Sequence, residues 1–307
     1  MRRRACGPSI AERAAPRIRI GISGWIYPSW RGVFYPRGLP HRCELGYASR
    51  CFDSVEINGT FYALQRPESF RRWYEETPDS FVFAVKGSRF ITHMKKLNAV
   101  EAPLANFFAQ GLLALGEKLG PVLWQLAPQF RFDEARLDRF LGLLPRDSEA
   151  AAALARRHDR RLAGRAWTTA DAKRPIRHAL EVRNESFRTP RFVRLLRRHG
   201  VALVFSDAVA WPSIEDVTAD FVYLRLHGST ELYASGYSDA ELDAWADRLR
   251  RWTAGAEPVN ARRAAPDEPP PVRPRDAYVY FDNDAKVRAP FDAMNLARRL
   301  AALPAEA

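Results

Sequence analysis

By type and setting, Glu56, Glu181 and His227 are the residues of this chain best suited to move protons, and Lys86, Arg183 and Arg225 those best suited to hold an oxyanion. Carboxylates and imidazole serve as general acids and bases. Guanidinium offers paired donors that match a carboxylate or phosphate, which an ammonium cannot reproduce. Asn58, Gln125, Asp282 and Trp25 stand at comparable places along the chain and complete the expected substrate-binding set. No metal or other cofactor is expected. The alternative is a single Mg²⁺ or Mn²⁺ held by Glu56, Glu181 or Asp282, since hard ions prefer oxygen, but Lys86 and Arg183 would compete with it. Among the histidines only His227 falls near the C-terminal end of an expected strand, which disfavours a histidine-rich zinc centre. Weaker signals are Trp25, Tyr27 and Trp30, suited to stacking on a planar ligand or to a packed lid, and His93, suited to loop acid–base work or to a structural hydrogen bond. The run His227-Gly228-Ser229-Thr230 is placed where many barrels hold phosphate.

These residues need a scaffold. Short β-branched or aromatic runs occur at 18–25, 54–61, 81–87, 121–127, 178–184, 201–207, 221–228 and 277–283. Helical patterns at 67–76, 100–119, 133–144, 189–199, 238–252 and 289–300 separate most of them; Leu137, Phe140, Leu141 and Leu144, for example, recur near a period of 3.6. Strands alternating with helices imply a parallel sheet, and eight repeats imply closure into an α/β, TIM-type (β/α)₈ barrel. A doubly wound open sheet is disfavoured because no G-x-G-x-x-G follows any strand. Side-chain alternation then turns Glu56, Asn58 and Thr60 inward together, and likewise Tyr223, Arg225 and His227, with Lys86, Gln125, Glu181, Arg183 and Asp282. Ser206 competes with Asp207 for an inward place. Barrel interiors are usually aliphatic, so this charged one implies either a ligand site or an ion-pair network that satisfies itself.

The 307 residues, 47% hydrophobic, suffice for one large domain. The expected organisation is a flexible basic N-terminus at 1–17 and a barrel at 18–302 with surface insertions at about 145–176 and 254–275. The second insertion carries Pro269, Pro270, Pro271 and Pro274, reads as a solvated excursion, and is expected to be replaceable by a short connection with little effect on unfolding. Cys6, Cys43 and Cys51 show no paired spacing and read as free thiols. No apolar run reaches the roughly 18 residues of a membrane helix, and the first residues lack the apolar stretch of a secretory signal, so no membrane partner and a cytoplasmic location are expected. The net charge of +12, the Arg2, Arg3 and Arg4 patch, and a helical stripe of Arg191, Arg194 and Arg198 keep nucleic acid open as a partner.

One string of motifs is distinctive: Ile20-Gly21-Ile22-Ser23-Gly24-Trp25, Phe34-Tyr35-Pro36, Val55-Glu56-Ile57-Asn58-Gly59-Thr60-Phe61-Tyr62, Trp124-Gln125-Leu126-Ala127-Pro128, Leu180-Glu181-Val182-Arg183-Asn184-Glu185-Ser186-Phe187, Tyr223-Leu224-Arg225-Leu226-His227-Gly228 and Tyr280-Phe281-Asp282-Asn283. It resembles the YecE-like family, domain of unknown function 72, from residue 18 to 300. The resemblance implies a TIM-type barrel and no settled reaction. Asn184 stands where histidine is expected in many relatives, and Asp282 where asparagine is usual. The functional expectation is a metal-independent enzyme, hydrolase or lyase in kind, acting on a phosphate- or carboxylate-bearing small molecule by acid–base chemistry. The alternatives are a metal-dependent phosphodiesterase or nuclease-like barrel, and a non-catalytic barrel that binds nucleic acid or protein. Substrate, reaction type and oligomeric state stay open.

Overall fold

The computed structural model describes residues 15–301, so the Arg2 to Arg4 patch, Cys6 and residue 302 lie outside the described residues. Eight strands, β1 (Ile18–Ser23), β2 (Ser54–Ile57), β3 (Val82–Lys86), β4 (Leu119–Gln125), β5 (His178–Glu181), β6 (Ala202–Asp207), β7 (Phe221–Leu226) and β8 (Asp276–Phe281), pair in chain order. All pairs are parallel, and β8 closes on β1 through Ile18↔Ala277 to Ile22↔Phe281. The helices among the described residues are α1 (Glu44–Cys51), α2 (Gly59–Tyr62), α3 (Pro67–Glu75), α4 (Glu101–Ala109), α5 (Glu134–Leu143), α6 (Ser148–Ala155), α7 (Pro190–His199), α8 (Asp239–Ala254) and α9 (Ala289–Ala301). Four of them, α5 to α8, start on side chains that cap unpaired N–H groups. Asp133 accepts from Arg136 N, Asp147 from Ala150 N and Thr189 from Phe192 N, while Ser238 and Glu241 cap α8 reciprocally. No helix among the described residues is long and apolar enough to cross a membrane.

Alternation splits the molecule into two apolar regions. Ile20, Ile22, Val55, Ile57, Leu203 and Phe205 face outward and pack with the helices. The barrel interior holds Val82, Ala84, Leu123, Ala179, Val204, Phe221, Tyr223, Tyr278 and Tyr280. Its N-terminal half is therefore plugged by aromatic rings, with Tyr223 and Tyr280 centred 5.1 Å apart. Gly21 makes room for this packing, because a Cβ there would come 1.8 Å from the Ser54 carbonyl oxygen.

Several boundaries differ from expectation, with consequences for the mouth. β2 stops at Ile57, four residues short of the expected run, and Thr60 leaves the strand to donate to Ile57 O and Lys86 O at 3.1 and 2.7 Å. β5, β7 and β8 also stop early, so Arg183, His227 and Asp282 lie on the loops just beyond. The single helix expected at 100–119 is broken at Gly111, whose φ of 121° and whose approach to Pro67 only glycine tolerates; 3₁₀ turns then run over Leu112–Lys118. Asp207 faces outward with Leu203 and Phe205, and Ser206 takes the interior place.

The 145–176 segment is closed by a bridge between Asp147 and Pro175, and α6 within it packs on α4. The 254–275 segment is not a loose excursion. Asp216 accepts N–H bonds from Ala264 and Ala265 at 2.6 and 3.1 Å, Glu215 accepts from Arg262 N at 3.1 Å, and Arg197 donates to Glu268 O at 2.9 Å.

Candidate functional site

The top interior layer is polar because strands β1, β2, β5 and β7 each carry a charged or hydroxyl-bearing inward residue at their last or next-to-last position. Register places Ser23 beside Glu56, Gln125 beside Glu181 and Ser206 beside Arg225. Arg225 is fully buried and forms the hub. Its Nη2 lies 2.9 Å from Glu56 Oε1 and 2.8 Å from Asp282 Oδ2, and its Nη1 lies 2.9 Å from Glu181 Oε2. Glu56 also accepts from Ser23 Oγ at 3.0 Å and from Tyr223 Oη at 2.6 Å. Arg183 donates through Nε to Glu181 Oε1 at 2.9 Å and lays its guanidinium 3.9 Å from the centre of the Trp211 ring. His227 Nδ1 sits 3.1 Å from Asp282 Oδ2, and its Nε2 3.7 Å from Glu181 Oε1, in poor alignment for hydrogen bonds.

Above this layer opens a cavity of about 1110 Å³ at the C-terminal ends of the strands, where barrel enzymes carry their active sites. Trp25, Asn58, Lys86, Gln125, Arg183 and Asp282, all expected in the binding set, line it. Glu56, Glu181, His227 and Arg225 do not; they lie beneath it with no exposed surface. Arg225, expected as an anion ligand, has its donors committed to carboxylates instead. The loop Gly228–Thr230, expected to cradle phosphate, spends Gly228 N on Tyr237 Oη and Thr230 N on Ser235 Oγ. Trp30 is a packed residue, stacked on Tyr27 at 4.6 Å, while Trp25 and Tyr27 reach the cavity wall.

Sequence reasoning missed Asp284, Tyr233, Arg89 and Met94 on the wall, and Trp211 behind Arg183. They come from loops, where no periodicity marks direction. One local signal does exist at His93 and Met94, which sit in a π-turn (Phe90–Met94), followed by positive φ at Lys96, Leu97 and Ala99. Such turns and such backbone cluster at functional sites.

Burial and neighbours set the charges. Burial alone would raise the Glu181 carboxyl, but Arg183 and Arg225 beside it hold it at about 2. Asp282 is likewise held below the usual carboxylate range by Arg225 and His227 against its burial. Burial pushes His227 down, while Asp282 and Glu181 oppose that shift. Burial, reinforced by Arg225, lowers the Lys86 ammonium to about 8 although Glu56, Asp282 and Glu181 oppose it. Burial and the nearby Asp282 charge raise Asp284 to about 6. Among the described residues no carboxylate comes within 4.0 Å of Lys86 Nζ, and no group of three or more His, Cys, Asp or Glu side chains is arranged to hold a metal ion. Asn58 Oδ1 and Gln125 Oε1 are buried acceptors without hydrogen-bond partners.

A closed parallel eight-stranded barrel with a cavity of aromatic and charged side chains at its C-terminal mouth defines a TIM-type barrel protein. The chain belongs to the family described as "Protein of unknown function DUF72", whose profile it matches over residues 19–307. It is 33% identical over 129 residues to the UPF0759 protein YecE of Escherichia coli (strain K12), covering 42% of this chain and 44% of that protein. It is 29% identical over 123 residues to the UPF0759 protein YunF of Bacillus subtilis (strain 168), covering 37% and 41%. Each match spans less than half the curated relative's length. Among solved structures, a DUF72 family protein of Thermotoga maritima MSB8 superposes with a TM-score of 0.68 at 23% identity over 93% of this chain and 99% of that one. One from Enterococcus faecalis V583 gives 0.67 at 17% identity over 94% and 97%. These likenesses show a shared fold.

Proposed function

We propose that the chain is a metal-independent enzyme that binds an anionic small molecule in the mouth cavity and transfers protons on it. The observation that carries the reading is the set of cations on the cavity wall. Lys86 has no carboxylate within ion-pair distance, Arg183 makes no hydrogen bond from Nη1 among the described residues, and Arg89 is exposed at the rim. Arg183 and Arg89 would meet the anion with charge-assisted hydrogen bonds, and Trp25, Tyr27 and Phe61 would flank its apolar body. The carboxylates Glu56 and Glu181 serve as counterions to Arg225 and Arg183. Proton transfer therefore passes to Lys86 and Asp284, whose values of about 8 and 6 bracket neutrality.

Differential scanning fluorimetry with phosphate, sulfate and a dicarboxylate, against chloride matched for ionic strength, tests this. The anions should raise the melting temperature by binding the folded state, and Arg183→Lys should lose most of the gain while keeping the fold. Absence of any response in the parent, with stabilisation by Mg²⁺ or Mn²⁺ instead, would replace this reading by the metal-dependent one. The nucleic-acid reading has less support, because Arg191, Arg194 and Arg198 pair with Glu134, Glu268 and Asp138 at 2.6, 2.5 and 2.7 Å.

A further inference from the structure

We propose that Lys86 is a nucleophile toward carbonyl groups and forms an imine with a small oxo compound that bears a carboxylate or phosphate; this rests on the anion-binding reading above. The placement of its amine carries the proposal. Lys86 ends β3, and its backbone is fixed there because its carbonyl accepts from Thr60 Oγ1 at 2.7 Å. The side chain passes under Phe61, with Nζ 4.6 Å from the ring centre, and reaches the cavity wall while the residue remains 8% exposed. The neighbouring charges pair with one another: Arg225 with Glu56, Glu181 and Asp282, and Arg183 with Glu181. Nothing among the described residues claims the Lys86 amine, so its lone pair is free once the proton leaves.

The surrounding charge favours the product. The three carboxylates outnumber the two guanidiniums of that network by one, so a single positive charge at Lys86 makes the layer neutral. An iminium supplies that charge as the ammonium does, with the substrate carbon attached. The amine itself is held near neutrality by burial and Arg225, which is how lysine becomes a nucleophile in proteins.

The neutral Lys86 amine forms an N–C bond to the carbonyl carbon while the C=O π pair moves to oxygen. One amine proton passes to that oxygen, giving a carbinolamine. Asp284, also on the wall and partly protonated near neutrality, gives its proton to the hydroxyl. The C–O bond breaks, water leaves, the nitrogen lone pair forms the C=N bond, and Asp284 is left as carboxylate. Arg183 holds the substrate's anionic group meanwhile.

The test uses the full chain with pyruvate and sodium cyanoborohydride at near-neutral pH, followed by peptide mapping. The reduced adduct should form at Lys86 faster than at the exposed Lys95 and Lys173, by on the order of a hundredfold against Lys173, whose amine Glu149 and Asp147 push up while that of Lys86 is lowered to about 8. Phosphate should slow it at Lys86 alone. Labelling of Lys86 no faster than Lys95 overturns the imine. If phosphate still raises the melting temperature in that case, the failure belongs to the imine and not to the anion site. Fast labelling that phosphate leaves unchanged overturns the anionic substrate class.

Discussion

Arg225 has the largest single effect among the site residues, since three carboxylates depend on it. Removing one partner of a buried ion pair leaves uncompensated charge and costs about 3–5 kcal/mol. Arg225→Met, similar in length but uncharged, should therefore lower stability by at least that range, read from the urea midpoint at neutral pH. A loss under about 1 kcal/mol would show that the carboxylates find other partners. The same pairing fixes the acid limb. Glu181 is depressed in the folded chain, from 4.5 to about 2, so its stabilisation is complete above the unfolded value and is lost as pH falls through that window. In Arg225→Met the folded carboxyl moves back toward its unfolded value, so the stability lost across that window should be smaller than in the parent. The meeting of Glu56, Lys86, Glu181, Arg225 and Asp282 was legible from strand parity alone. Their pairing was not, because which guanidinium reaches which carboxylate depends on register and on the few ångströms by which each strand ends below the rim. Arg225, expected to hold a ligand, turns its donors to these carboxylates for that reason.

Element boundaries were less legible than element existence. Alternation in Val55 to Phe61 reads as unbroken strand, yet Asn58 and Gly59 begin a helical turn whose Thr60 hydroxyl bonds the ends of β2 and β3, a tertiary contact that no local pattern announces. His178 shows a similar coupling between elements. It takes a hydrogen bond at Nδ1 from Trp124 Nε1 on β4, 3.2 Å away, and its Nε2 donates to Pro145 O at 2.8 Å, at the start of the 145–176 segment. The Trp124 contact requires an unprotonated Nδ1 and so the neutral ring, and burial lowers its value from 6.5 to about 3 although the Pro145 bond opposes it. As the unfolded chain takes up this proton first, stability should fall as pH drops below about 6.5, by about 1.4 kcal/mol per pH unit for the one group. His178→Gln should reduce the slope of unfolding free energy between about pH 6 and 4 by that amount, whatever its effect on the absolute level. An unchanged slope would show that the ring is protonated in the folded state.

At the scale of the whole molecule, the +12 net charge suggested a cationic surface, but the α7 stripe is neutralised by acids from α5 and from the 254–275 segment. That segment looked dispensable because prolines exclude regular structure; proline content says nothing about tertiary hydrogen bonds, and those decide its role. Glu215 and Asp216, between β6 and β7, are 3% and 0% exposed, and backbone N–H groups of Arg262, Ala264 and Ala265 satisfy them. Replacing residues 256–272 by a short Gly/Ser connection would gain little closure entropy, since that term varies only slowly with length. It would strip both carboxylates of those donors and leave Arg197 without the Glu268 carbonyl. Glu215 keeps Arg248 of α8 at 2.6 Å, so the loss falls mainly on Asp216, and stability should fall by at least about 1–3 kcal/mol, the scale for a buried group left without its hydrogen bonds. Adding Asp216→Asn to the shortened chain should recover part of the loss, because a neutral amide costs less to leave unsatisfied than a carboxylate. Thermal melts of the parent, the shortened chain and the double variant check this: a shortened chain that unfolds with the parent would mark the segment as a surface decoration, and failure of Asp216→Asn to recover any stability would place the loss elsewhere than in this anchor.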